Sequence, residues 1–175
     1  MQSQALVGQK HTLSTFVNST SQTAAYLDIG CGRPLLRLHG FFGEKTCWLP
    51  LIELLQSQFR CISFDIAVLK KVRYALCPMP YALCPMPMST SYENSKGYML
   101  GFGESSKPEI RYDVAVEVAF VPQVVEQLNI EPCCIIGHSF GGWVASAYSL
   151  KYPNSVSSLV LAAPAGIRDD SFCGQ

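Results

Sequence analysis

One short stretch of the chain could present a serine hydroxyl for chemistry. Residues 137–141 read Gly-His-Ser-Phe-Gly and match the pattern G-x-S-x-G. Glycine and serine are common, so these five residues alone also fit an ordinary tight turn. Their context favours the chemical interpretation, because an apolar strand is predicted just before them and a helix over 141–152 just after. The turn would lift the Ser139 hydroxyl clear of the backbone, at a helix N-terminus that favours developing negative charge.

Two further glycine-containing stretches precede this one. Residues 39–43 read His-Gly-Phe-Phe-Gly after a predicted strand, and residues 101–105 read Gly-Phe-Gly-Glu-Ser. The three motifs, in this order, resemble the N-terminal part of an α/β-hydrolase fold protein. That group includes esterases, lipases, carbon–carbon bond hydrolases and cofactor-free haloperoxidases. The resemblance covers about residues 12–66 and 100–172.

The resemblance implies a role for each motif residue. Ser139 would be the nucleophile that forms an acyl-enzyme with a small acyl substrate. The backbone N–H groups of Phe41 and Phe140 would form the oxyanion hole. The other motif residues would shape the turns, and they are His39, Gly40, Gly137, His138 and Gly141. A serine here argues against the epoxide-hydrolase and haloalkane-dehalogenase branches, which use aspartate, and no cofactor or metal is implied.

The resemblance also implies a triad that runs Ser, then Asp or Glu, then His. The 36 residues after Ser139 contain no histidine and no glutamate, and their acidic residues are Asp169 and Asp170. We therefore expect the lid, the C-terminal strands and the catalytic base to be absent from this chain. On that expectation the chain is inactive or impaired alone, because a triad that lacks a member retains only residual rate.

The other titratable candidates have plainer interpretations. His39 and His138 belong to the motifs and are interpreted as turn-shaping residues, with the role of base disfavoured. His11 is a weaker candidate still. Asp65 ends a predicted strand, where catalytic groups occur, but a loop-capping carboxylate is the favoured interpretation.

The elements that must position the motifs follow from the hydrophobic pattern. A hairpin is predicted within 17–30, and a helix over 46–59 has Thr46 as N-cap and Pro50 in its first turn. A second helix is predicted over 112–128, and Pro122 should kink it. The remaining predictions are a helix at 141–152 and strands at 34–39, 61–65, 133–137 and 156–163. This alternation predicts an α/β protein whose mostly parallel sheet of about six strands is flanked by helices, as one partial domain over 1–175.

The strand predicted at 156–163 has a particular consequence. It would be an apolar, parallel strand at the edge of an incomplete sheet. An exposed edge of this kind pairs readily with other chains. We therefore predict binding of a separate C-terminal fragment, or self-association, through this strand.

A segment in the middle of the chain breaks the pattern. Tyr-Ala-Leu-Cys-Pro-Met-Pro occurs at 74–80 and again at 81–87, and its prolines exclude a helix or a central strand. A continuous repeat of the seven nucleotides ATGCCCT, read over a length of six units, would encode these 14 residues. We therefore predict a translated tandem DNA repeat, with a duplicated loop peptide as the alternative. Removing 67–99 would leave a short loop, so that stretch is interpreted as a disordered insertion.

The composition limits the classes of binding partner that we expect for this chain. Thirteen basic and thirteen acidic residues give a net charge of zero, which offers no electrostatic reason to expect nucleic acid or an anionic membrane. No secretion signal or membrane span is recognised. The eight cysteines show no C-x-x-C pair, and Cys133-Cys134 fits core packing, so reduced thiols in a cytoplasmic protein are expected.

Three interpretations of function compete. The first is a serine hydrolase of ester-like or small acyl substrates, present as an incomplete copy. The second is a non-catalytic remnant, or a half that associates with a separate C-terminal polypeptide. The third, a dinucleotide-binding domain, is disfavoured because residues 101–103 lack the third glycine of G-x-G-x-x-G. An apolar acyl pocket and simple core packing remain equal alternatives for four aromatic residues, Phe41, Phe42, Phe140 and Trp143.

Overall fold

The structure is a computed structural model that describes residues 10–17, 20–41, 43–66 and 114–166. The predicted insertion 67–99, its repeat at 74–87 and the motif at 101–105 lie outside these residues. So do Phe42, Asp169 and Asp170.

Within the described ranges, six strands form one sheet in the order β1-β2-β4-β3-β5-β6. The strands are β1 (Lys10–Val17), β2 (Thr20–Ile29), β3 (Arg33–Leu38), β4 (Phe59–Phe64), β5 (Cys133–His138) and β6 (Val156–Ala162). The helices are α1 (Leu49–Leu55), α2 (Val114–Gln127) and α3 (Phe140–Lys151), with short 3-10 helices at Lys45–Trp48 and Pro153–Ser155.

The four strands β4, β3, β5 and β6 run parallel, and β1 and β2 join them as an antiparallel hairpin. The prediction of a mostly parallel α/β sheet of about six strands is therefore confirmed. The apolar runs at β3, β4 and β5 form strands because they are buried on both faces of the sheet. Their carboxyl ends meet at one edge, where parallel α/β sheets place their binding residues.

The two faces of the sheet have separate apolar layers. On one face, α2 and α3 cover side chains such as Leu36, Leu38 and Ile135. On the other face, the layer under α1 contains Leu35 and Ile52. Cys133 lies in the first layer, as its apolar surroundings predicted, and burial raises the pKa of its thiol to about 12.

Two predictions about local structure need correction. Thr46 is not the N-cap of a helix over 46–59, because it lies inside the 3-10 helix and its hydroxyl donates to Glu44. The α-helix begins at Leu49 with Pro50 in its first turn, as expected, and ends at Leu55. The hairpin is also longer than the predicted 17–30, since β1 begins at Lys10. Pro122 lies inside α2, and the kink stays a prediction.

The strand β6 forms the edge of the sheet, where it pairs with β5. Its side chains Leu159, Val160 and Leu161 are 37%, 49% and 37% exposed. The prediction of an apolar parallel edge strand here is confirmed.

Candidate active site

Ser139 stands alone between β5 and α3, in a backbone conformation that L residues rarely adopt. Its φ is +51° and its ψ is −117°. Such a conformation costs on the order of 1–3 kcal/mol and persists only where surrounding contacts impose it. The Ser139 carbonyl accepts hydrogen bonds from the N–H groups of Gly142 (3.0 Å), Trp143 (3.2 Å) and Ala165 (2.8 Å). The Ser139 N–H in turn donates to the carbonyl of Ala162 (3.1 Å).

The glycines around Ser139 are required by close backbone contacts. A Cβ atom on Gly137 would lie 2.6 Å from the Cα of Gly142, and one on Gly142 would lie 2.7 Å from Pro164. A Cβ atom on Gly141 would lie 2.5 Å from the carbonyl oxygen of His39, at the end of β3. The sequence 137–142 therefore folds as it does because only glycine permits strand, turn and helix to approach this closely.

The loop after β3 lies directly against this turn. A Cβ atom on Gly40 would be 3.1 Å from Ser139 Cβ and 2.8 Å from His138 Nδ1. The loop turns tightly, because the Gly43 N–H donates to the Gly40 carbonyl at 2.9 Å. The structure thus brings together two motifs that are about one hundred residues apart in the sequence.

Three aromatic rings pack beside the contact between the Gly40 loop and the Ser139 turn. The Phe41 and Phe140 rings meet edge to face, with centroids 5.4 Å apart, and Phe140 meets Trp143 at 6.4 Å. Phe140 is a member of the core, and Phe41 and Trp143 are partly buried against it. For Phe140, core packing is therefore the better of the two interpretations left open by the sequence.

His39 is buried, and both of its ring nitrogens are engaged. Its Nε2 accepts a hydrogen bond from the Ile66 N–H at 3.0 Å, and its Nδ1 lies 2.8 Å from the Gly40 carbonyl oxygen. The tautomer that satisfies both contacts is neutral, with the proton on Nδ1. Burial lowers the pKa of His39, in agreement with a neutral ring. This residue connects the loop to the backbone that follows β4.

The other two histidines take different positions. His138 is exposed at the end of β5, beside the Gly40 loop. His11 lies on β1, exposed and in ring contact with Tyr26 at 5.3 Å. Since β1 is at the far edge of the sheet from β5, His11 is not part of the site.

A buried ion pair stabilises the segment that follows the Gly40 loop. The Lys45 Nζ lies 2.8 Å from Asp65 Oδ2, and the Lys45 N–H donates to Asp65 Oδ1 at 2.7 Å. The Ser63 hydroxyl donates to the Lys45 carbonyl at 3.0 Å. Asp65 is thus a structural carboxylate, the interpretation that the sequence favoured. No sequence pattern indicated Lys45, because its partner lies 20 residues further along the chain.

No group of three or more His, Cys, Asp or Glu side chains in the described ranges is arranged to hold a metal ion. Among the same residues, no helix is long and apolar enough to cross a membrane.

Comparisons with known proteins agree with this geometry. Residues 99–173 match the family model described as alpha/beta hydrolase fold. The chain is 32% identical over 143 residues to "1-acylglycerol-3-phosphate O-acyltransferase ABHD5" of Mus musculus, covering 79% of this chain and 31% of that protein. It is 30% identical over 141 residues to 2-hydroxymuconate semialdehyde hydrolase of Pseudomonas sp. (strain CF600), covering 80% and 39%.

A solved structure supports the same assignment. The structure of a probable hydrolytic enzyme from Pseudomonas aeruginosa PAO1 superposes with a TM-score of 0.68 and 27% identity, over 94% of this chain and 44% of that one. The chain belongs to the α/β-hydrolase fold superfamily. It spans less than half the length of each relative named here.

Proposed function

We propose that this chain supplies the nucleophile and the oxyanion loop of a serine hydrolase that acts on esters or other small acyl substrates. The observation that carries the proposal is the strained turn at Ser139, held against the Gly40 loop. A tight turn with no chemical role would not need positive φ at a serine, since glycine adopts this conformation without the same cost.

The proposed chemistry is acyl transfer through Ser139. Its Oγ attacks the substrate carbonyl carbon, and the negative charge that develops on the carbonyl oxygen is accepted by the N–H groups of Phe140 and Phe41. The leaving alcohol departs with a proton, and the acyl group stays on Oγ. A water molecule then attacks this ester, which releases the acid and restores the Ser139 hydroxyl.

Each of these steps needs a base for the proton of the attacking hydroxyl. His39 is unsuited, because its two nitrogens bind Ile66 and Gly40 and burial lowers its pKa. His138 is adjacent to Ser139 in the tight turn, where a side chain normally points away, and its ring lies beside Gly40. We therefore propose that the base and its acidic partner come from outside this chain, and that the chain alone is impaired.

The test uses the chain alone with a fluorophosphonate probe and a chromogenic short-chain ester. We expect slow labelling that Ser139→Ala abolishes, and ester turnover at a residual level, by analogy with hydrolases that lack a triad member. Ser146→Ala is the matched control, because Ser146 is a half-buried serine in the middle of the same helix, with its hydroxyl donating to the Gly142 carbonyl, and this variant should label like the parent. Labelling that survives Ser139→Ala would rule out Ser139 as nucleophile, and rapid turnover by the chain alone would rule out the impairment.

A second candidate function is favoured by the β6 edge. We propose that the chain is one half of a hydrolase and binds a separate polypeptide that continues the sheet beside β6. The exposed apolar side chains Leu159, Val160 and Leu161 at this edge support the proposal. A cytoplasmic location, where thiols stay reduced, remains part of the proposal.

This second candidate is tested by complementation. The chain is mixed with the separately expressed C-terminal half of the Pseudomonas semialdehyde hydrolase, and size-exclusion chromatography and ester turnover are measured. We expect a complex with turnover that depends on Ser139, and Val160→Lys should prevent its formation. If the chain elutes alone at high concentrations of the added half and no turnover is gained, pairing at β6 is refuted.

A further inference from the structure

The outer edge of β1 is bound by side chains of a helix rather than by a strand. β1 lies at the opposite end of the sheet from β6, and its inner edge pairs with β2 along its whole length. The Phe16 N–H donates to Gln123 Oε1 at 2.6 Å, and Gln123 Nε2 donates to the Phe16 carbonyl at 2.7 Å. Gln127 Nε2 donates to the Ser14 carbonyl at 2.7 Å. Two glutamines of α2 thus bind three main-chain groups of β1.

These contacts reproduce the pairing that a neighbouring strand would make. In an antiparallel pair, alternate residues exchange both of their main-chain hydrogen bonds with the residue opposite. Gln123 does the same with Phe16 through its side-chain amide, because an amide group carries both a donor and an acceptor. Ser14 and Phe16 are two positions apart, so their main-chain groups face the same edge of the strand. The two glutamines therefore occupy the hydrogen-bonding positions that a further strand would need.

The spacing of the glutamines on α2 matches the spacing of their partners on β1. Gln123 and Gln127 are four residues apart on the helix, which corresponds to a rise of about 6 Å. Ser14 and Phe16 are separated by about 7 Å along an extended strand. The apolar side chains of α2 belong to the core layer against which Leu13 of β1 also packs. This shared packing holds the helix beside the strand, so both amides reach the edge together.

The sequence of β1 lacks the features that usually protect an edge strand. Short length, proline and charged side chains are the common means of preventing an exposed edge from pairing with another chain. β1 is eight residues long, and apart from Lys10 at its start it contains no proline and no Lys, Arg, Asp or Glu. Its Phe16 side chain is 59% exposed, and aromatic residues favour strand pairing. Protection of this edge therefore depends on groups outside β1.

We propose that Gln123 and Gln127 cap the outer edge of β1 and prevent it from pairing with the same edge of a second copy of the chain. An antiparallel β1–β1 contact would be symmetric, because both copies would use the same edge. The partner strand would replace the glutamines and bind the same main-chain groups of Ser14 and Phe16. The inference does not depend on the proposed hydrolase function, since neither the Ser139 turn nor the Gly40 loop takes part.

The test measures self-association by sedimentation velocity in the Val160→Lys chain, whose β6 edge carries a charge that opposes pairing. This chain should stay monomeric. Adding Gln123→Ala and Gln127→Ala gives the uncapped variant, in which alanine preserves the helix, and a dimer population should grow with concentration. Glu126→Ala in the same chain is the matched control, because Glu126 is exposed on α2 between the two glutamines, and it should stay monomeric. An uncapped variant that sediments like this control at every concentration would overturn the proposal.

Hydrogen exchange of the Phe16 amide, followed by NMR, locates the association and tests the cap even if the alanine variants do not fold. The amide should exchange slowly in the parent chain, because it donates to Gln123. In the monomer, Gln123→Ala should speed its exchange roughly tenfold, whereas Gln127→Ala should not, since Gln127 binds the Ser14 carbonyl. In the dimer of the uncapped variant the exchange should be slow again. Fast exchange in the parent, or in that dimer, would refute the cap.

Discussion

At the scale of single residues, the site depends on places where no larger side chain fits. Gly141 is the clearest case, because the carbonyl oxygens of Leu38 and His39 lie where its Cβ would be. Both atoms belong to the backbone of a central strand and its exit, so neither can move without disturbing the sheet. The strain at Ser139 is held in place by these same contacts.

We predict that Gly141→Ala destabilises the fold by about 2–3 kcal/mol, because overpacking at backbone atoms cannot be relieved by a rotamer change. The free energy of unfolding from urea titration measures this effect. The control is Leu150→Ala on the same helix, where the side chain is 85% exposed and a change below about 0.5 kcal/mol is expected. A Gly141→Ala variant as stable as that control would contradict the close approach.

His39 gives a prediction about pH. Its pKa is lowered in the fold, while in the unfolded chain it is about 6.5. Below that pH the unfolded state binds a proton here and the folded state does not, so stability falls as pH decreases, by up to about 1.4 kcal/mol per pH unit. His39→Gln should remove this part of the slope between pH 6.5 and 5, measured by urea unfolding, and His11→Gln should retain it.

The buried pair Lys45–Asp65 should behave differently from the partly exposed pair Arg60–Asp28. Removing one partner of the buried pair, as in Lys45→Met, leaves an unpaired buried charge and should cost about 3–5 kcal/mol. Arg60→Met should cost about 1 kcal/mol, since its pair is 32% and 21% exposed. In a double-mutant cycle, Lys45→Met with Asp65→Leu should cost much less than the sum of the two single changes. Additive costs would show that the pair is not coupled.

At the scale of elements, β6 forms an edge of the sheet and carries exposed apolar side chains. Its exposed apolar side chains lie on both faces, because Leu159 and Leu161 alternate with Val160. None of its seven residues is charged, so no charge on the strand itself opposes pairing with another strand.

We therefore predict that the chain self-associates as its concentration rises when no other polypeptide covers β6. Sedimentation velocity should show this, and Val160→Lys should shift the population toward monomer because a buried charge opposes edge pairing. Leu150→Lys is the matched control, since Leu150 is equally apolar and more exposed but lies on a helix. If both lysine variants dissociate the assembly alike, the contact does not involve the β6 edge.

The elements that the sequence predicted well share a cause. Strands β3 and β5 are mostly apolar and end in glycine-containing turns, and steric limits on those turns are local. The errors arise where a long-range contact decides the local structure. Lys45 binds Asp65 across the sheet edge, so the chain enters α1 through a 3-10 helix, and the Thr46 cap predicted from local pattern does not form.

At the scale of the whole molecule, the candidate site is assembled from two parts of the chain that are distant in the sequence. The Gly40 loop and the Ser139 turn meet because β3 and β5 are parallel neighbours. The alternation of strands and helices predicted a mostly parallel sheet, but it did not predict the order of the strands. Lys45 could not be assigned from the sequence either, because its partner Asp65 is adjacent to it only in the folded chain.

The hydrogen bond from the Ala165 N–H to the Ser139 carbonyl has a consequence for how the protein is made. The turn at Ser139 contacts the end of β3 on one side and residues that follow β6 on the other. Its conformation is therefore complete only after the residues that follow β6 have folded against it. A polypeptide still emerging from the ribosome cannot display this serine in its strained form until residue 165 has been synthesised and has folded back.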